Sequence, residues 1–144
     1  MLSIRSLWVD MKGVLRAARQ IINRELEPLN LSSAEGDILF HLLTGSNNLS
    51  QEKLSERLDI GKAAISRAVD SLESKGYVLR LRHSDDKRVY RVSLTEKAYS
   101  IGGRIVEIYE KLYMLARKGI TDEDLSHIES VLARVAKNLQ ASED

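Results

Sequence analysis

A chain of 144 residues with 43% hydrophobic content is long enough for one folded core without metal or disulfide staples, and a formal charge of +1 taken alone argues against a nucleic-acid binder. The absence of cysteine excludes disulfides, thiolate zinc sites and thiol redox sensing within the chain, and it fits a reducing, cytoplasmic location. Three scattered histidines can at most supplement a carboxylate metal site, so no metal or cofactor is expected. Charges also break every N-terminal apolar stretch before it reaches signal-peptide or membrane-span length, so no membrane association is expected.

The single proline, Pro28, and the shortage of strand-like runs predict a mainly helical protein. Leu7, Trp8, Met11, Leu15, Ala18 and Ile22 recur at helical spacing and predict one long amphipathic helix from Leu2 to about Glu27, ended by Pro28. Such a length exceeds what one small core needs. Ser32 and Ser33 are N-cap residues for a second helix that carries Ile38, Leu39, Leu42 and Leu43 and stops near Gly45, with residues 45–48 as a turn. Ser50 is placed to cap a short third helix with Leu54 and Leu58, Leu49 standing ahead of it as a hydrophobic staple.

Residues 59–61 break the periodicity, and a fourth helix follows from Lys62 to Lys75. On a helical wheel Ile65, Ala68, Val69 and Leu72 fall on one arc, and Lys62, Ala63, Ser66, Arg67 and Asp70 on the other. Gly76 stands where a C′ glycine ends a helix. Alternation over Val78 to Arg82 and Arg88 to Leu94, around residues 83–87, predicts a β-hairpin. Thr95 then caps a long helix with Ala98, Ile101, Ile105, Ile108, Leu112 and Leu115 on one stripe and Val106, Tyr109 and Tyr113 on a second. A last helix beginning near Thr121 or Asp122 carries a narrow, coiled-coil-like seam of Leu125, Ile128, Leu132, Val135 and Leu139.

Charge is unevenly placed. Between Lys62 and Arg91 eight basic residues face four acidic ones, a local excess of four inside a remainder that is net acidic. Helix, turn, helix and a basic-tipped hairpin has a mechanical logic for duplex DNA: a helix about 10–12 Å across fits a major groove about 12 Å wide, while the hairpin reaches the neighbouring minor groove. Ser50 and Gln51, at the start of the third helix, can offer backbone amides and short donors to phosphate. The fourth helix is then the reader. Arg67 suits a guanine, Lys62 a phosphate, Ser66 a base edge or phosphate, and Ala63 permits close approach to a thymine methyl. The competing reading of the same arc is an ordinary solvated helix face.

The stretch from Leu31 to about Gly103 resembles the MarR family of winged-helix regulators. The likeness lies in residues 31–39, 54–58 and 65–76, and most specifically in an Asp-x-Arg at Asp86, Lys87 and Arg88 placed shortly before a Leu94-Thr95-Glu96 helix start. Ala98 departs from the glycine frequent there in the family, and suits a helix interior. The resemblance implies a wing whose Arg88 enters the minor groove, with Asp86 holding the wing or its arginines. A narrow minor groove has a negative potential that favours such an arginine, whereas a surface Asp86–Arg88 pair is worth at most about 1 kcal/mol.

Unpartnered stripes on the terminal helices point to a homodimer on a pseudo-palindromic site with half-sites about one helical turn apart. The expected organisation is one compact unit, with a dimerisation helix at 1–30, the winged helix-turn-helix at 31–94 and dimerisation helices at 95–144. The resemblance further implies a repressor released by a small aromatic or anionic effector, for which Trp8, Met11, Arg16, His41 and Tyr109 are candidates by position; each is also an ordinary packing residue. No nucleophile–base pair, phosphate loop or metal-ligand spacing supports an enzyme. A winged-helix module for protein contacts, without DNA binding, is the alternative function.

Overall fold

In a computed structural model of the chain, residues 2–82 and 90–142 are described. Among them the α-helices are α1 (Ile4–Leu26), α2 (Ser33–Thr44), α3 (Gln51–Leu58), α4 (Lys62–Ser74), α5 (Glu96–Arg117) and α6 (Asp122–Ala141). The strands β1 (Leu49–Ser50), β2 (Val78–Arg82) and β3 (Tyr90–Leu94) form one antiparallel sheet in the order β1-β3-β2. The chain divides into two compact units, one ending at Leu112 and the other beginning at Tyr113. No helix among the described residues is long and apolar enough to cross a membrane.

Local chemistry sets most boundaries. Ser32 and Glu35 form a reciprocal capping box at the start of α2, as Thr121 and Asp124 do for α6 and Ser3 and Ser6 for α1. Pro28 ends α1 as expected, through a 3₁₀ turn over Glu27–Leu29 that closes on Asn30 in a left-handed conformation. The Ser50 hydroxyl accepts from the Lys53 amide, and the Thr95 hydroxyl from the Ala98 amide, so both residues cap their helices. Gly76, at φ +85°, ends α4 in a Schellman turn: its amide donates to the Glu73 carbonyl, and the Tyr77 amide donates to Leu72.

In the first unit one core joins α2, α3, α4, the sheet and the first part of α5. Ile38, Leu39, Leu54, Ile65, Val69, Leu72, Val92 and Ile105 have no exposed surface. The arc of α4 expected to pack, Ile65 with Ala68, Val69 and Leu72, is buried throughout. The strand β1 is the element that periodicity did not disclose. Leu49 pairs with Val92 and Ser50 with Arg91, so the residue expected as a staple is a strand residue buried against β3. Half of the apolar stripe of α1 is exposed among the described residues: Ile22 is buried and Met11 and Ala18 are half-buried, while Leu7, Trp8 and Leu15 are exposed. In the second unit no residue of α6 is buried, and its seam residues Leu125, Ile128, Leu132 and Leu139 are exposed.

Candidate nucleic-acid interface

The turn between α3 and α4 fixes how α4 is presented. Asp59 ends α3 at φ +52°, the Ile60 amide donates to the Ser55 carbonyl, and the Ser55 hydroxyl donates back to the Ile60 carbonyl at 2.5 Å. With its inner arc sealed in the core, α4 turns Lys62, Ala63 and Arg67 to solvent and Ser66 partly so. Gly61 caps α4 without a side chain, and no acid lies in its first turn, so the amides and positive dipole end of the helix stay open to an anion. Among the described residues neither Lys62 nor Arg67 has an ion-pair partner.

The sheet places the start of α3 beside the hairpin. Ser50 lies in β1 and caps α3, and Gln51 follows it half-buried. Asn47 and Asn48 stitch this turn to β3: the Asn47 carboxamide accepts from the Leu94 amide, Arg91 donates to the Asn48 carbonyl, and the Ser93 hydroxyl donates to the Asn48 side chain. Along the hairpin the face of Val78, Arg80 and Arg82 meets Leu94, Val92 and Tyr90 in register. It grades from a buried apolar root to Arg82, whose Nε donates to the Tyr90 hydroxyl at 3.1 Å. The wing residues Asp86, Lys87 and Arg88 lie outside the described residues.

Two cations of the basic stretch, Lys75 and Arg80, are ion-paired internally, which sequence reasoning missed. Lys75 donates to both carboxylate oxygens of the buried Glu35, at 3.1 and 3.0 Å, and to the Asn30 carbonyl. Burial works to raise the Glu35 pKa, but hydrogen bonds from the Ser32 backbone, Lys75, Ser71 and the Ser32 hydroxyl outweigh it and hold the carboxyl below its ordinary range. Arg80 pairs with Asp70 at 2.7 Å. Strand alternation carried a signal for it, since Arg80 shares a face with the buried Val78.

The five effector candidates do not gather into one described cavity. Trp8 and Arg16 are exposed on α1 and Met11 is half-buried there. Tyr109 is buried, stacked on Phe40 with ring centroids 4.4 Å apart, and its hydroxyl donates to Asp37 at 2.5 Å. Burial raises the Asp37 pKa against the opposing pull of Tyr109 and Arg19. The Nε2 of His41 is buried with no hydrogen-bond partner among the described residues, and burial, helped by Arg57, lowers its pKa. An open groove of about 650 Å³, lined by Asn23, Arg24, Asn30, Glu35 and Lys75 among others, contains none of the five.

A short helix, a tight turn, a second helix with a sealed inner face, and a hairpin hydrogen-bonded to the first helix's entry strand together define a winged helix-turn-helix. The MarR family model matches residues 31–90. A MarR transcriptional regulator from Methanosarcina mazei Go1 is 26% identical, with 98% of this chain and 94% of that one covered at a TM-score of 0.78. A MarR family transcriptional regulator from Listeria monocytogenes, complexed with a 26mer DNA, is 26% identical over 99% and 92% of the chains at a TM-score of 0.82. An organohalide-sensing transcriptional regulator in its 2,4-dichlorophenol-bound form is 25% identical over 96% and 82%, at a TM-score of 0.77. Over residues 31–90 the chain is similar to the MarR family, and along nearly its whole length it is similar in fold to these transcriptional regulators.

Proposed function

We propose that this chain is a transcriptional regulator of the MarR family, that it binds double-stranded DNA sequence-specifically as a homodimer in the cytoplasm, and that it represses from a pseudo-palindromic operator. The observation that carries the reading is the outward arc of α4, where Lys62, Ala63, Ser66 and Arg67 line the first two turns of a helix whose start has no side-chain cap. Arg67 reads a guanine, Lys62 holds phosphate, and Ser50 and Gln51 meet the backbone from α3. Asp86, Lys87 and Arg88 take the wing role on the strength of the family likeness. The DNA-bound Listeria relative supports the reading.

The exposed stripes of α1 and α6 support a dimerisation role for residues 1–30 and 95–144, with DNA binding assigned to residues 31–94. Release by a small aromatic or anionic effector is supported by the dichlorophenol-bound relative, with Trp8, Met11, Arg16, His41 and Tyr109 as the residues to probe.

Selection from random duplex DNA with purified protein tests the function: a two-fold symmetric consensus is expected, and no enrichment at low salt would favour a protein-contact module instead. On the selected site Arg67→Ala is expected to cost about 1–2 kcal/mol and to relax preference at one base pair. Lys62→Ala is expected to weaken all duplexes alike and to reduce the salt slope by about 1, as measured by fluorescence anisotropy titrations at several salt concentrations.

A further inference from the structure

Arg80 is the most heavily engaged cation among the described residues. It lies on β2 with its side chain 17% exposed, too little for a freely solvated phosphate ligand. Its guanidinium pairs with Asp70 at 2.7 Å, reaches Glu73 at 4.0 Å and donates to the Ser66 carbonyl at 3.4 Å; these three partners are on α4. Its own backbone amide donates to Glu73 at 3.2 Å. The guanidinium also lies 5.7 Å from the centre of the Tyr90 ring on β3, within cation–π range, and its Nε is buried with no hydrogen-bond partner among the described residues. From its place on β2 the planar group therefore engages Ser66, Asp70 and Glu73 on successive turns of the reading helix and approaches the Tyr90 ring on β3.

We infer that Arg80 is a positioning residue that clamps α4 to the root of the wing and so sets the angle at which the two elements meet DNA, without itself contacting phosphate. A planar fork can bond Asp70 and the Ser66 carbonyl from separate nitrogens in fixed directions; an ammonium cannot, so lysine is no substitute here. The clamp also keeps Asp70, which lies on the outward arc, from confronting DNA as an unbalanced charge. The functional part of this inference rests on the DNA-binding reading above.

The test compares Arg80→Met, Arg80→Lys and the double variant Asp70→Asn with Glu73→Gln, which keeps the arginine and removes its anchors. For all three, the ratio of affinity for the selected site over random duplex is expected to fall about tenfold, what losing one well-aligned base contact costs. The salt slope of Arg80→Met is expected to match the wild type, whereas loss of a phosphate contact would lower it by about 0.9. A wild-type ratio in Arg80→Lys, or a reduced slope with an unchanged ratio in Arg80→Met, overturns the clamp.

Amide hydrogen exchange without DNA gives an independent reading. Leu81 and Arg91, register partners in the hairpin, should exchange faster in Arg80→Met and in the double variant, with Leu39 and Ile105 unchanged. Unchanged exchange at Leu81 and Arg91 overturns the clamp whatever the DNA result. If the wild type prefers no duplex, it is the DNA-binding reading that fails, and exchange still decides the clamp. Should Arg80→Met not fold, the carboxylate double variant carries both comparisons.

Discussion

Replacing Gly36 with valine is expected to destabilise the protein by about 3 kcal/mol, the upper part of the usual range for overpacking a filled core. A β-carbon at Gly36 falls 2.3 Å from Leu26 Cδ1 and 2.9 Å from the Tyr109 hydroxyl oxygen, and Leu26 has no exposed surface into which to retreat. The clash lies where α1, α2 and α5 meet, so relief must displace either Leu26 or the Tyr109–Asp37 hydrogen bond. Alanine gains about 1 kcal/mol of helix propensity over glycine. Gly36→Ala should still lose about 1–2 kcal/mol, because the same contacts exceed that gain. Gly103, exposed on α5 with nothing within 4 Å of where a β-carbon would stand, is the control: there alanine should stabilise by up to about 1 kcal/mol. Urea unfolding midpoints of the three variants test the sign at each site.

Glu35→Gln is expected to cost about 2–3 kcal/mol at neutral pH, because Lys75 loses its anionic partner while remaining largely covered. The folded carboxyl titrates below its ordinary range, so its stabilisation is complete above that range and fades as pH falls through the depressed folded value. The stability gap between wild type and variant should therefore narrow on acidification. The Asp37 carboxyl is held the opposite way, its pKa raised by burial, so its contribution fades as pH rises; it is common to both proteins and cancels in the difference. Denaturant titrations across the acid range measure the gap directly, and a gap that stays constant down to the lowest pH at which both fold would contradict the assignment.

What could be read before the structure was local. The caps at Ser32, Ser50 and Thr95, the start of α6 near Thr121, the Gly76 terminus and the two arcs of α4 each follow from residues within a turn or two of one another. Elements created by distant partners were not legible. A two-residue strand has no period, and β1 exists because residues on β3 pair with it. The Glu35–Lys75 bond spans 40 residues and the Tyr109–Asp37 bond 72, so neither leaves a mark in any window of sequence. For the candidate interface, the outward residues of α4 follow from its helical period, whereas the internal commitments of Lys75 and Arg80 were hidden inside a simple count of basic residues.

The small strand β1 has a further meaning for binding. Because Leu49 and Ser50 are held by β3 and lead directly into α3, the hairpin root and the entry to the helix-turn-helix share one hydrogen-bonded strand. Their mutual freedom is surrendered when the chain folds, not when it meets a ligand. A duplex engaging both does not have to order one against the other, and that entropy, which independent arms would lose at each encounter, is absent from the cost of association.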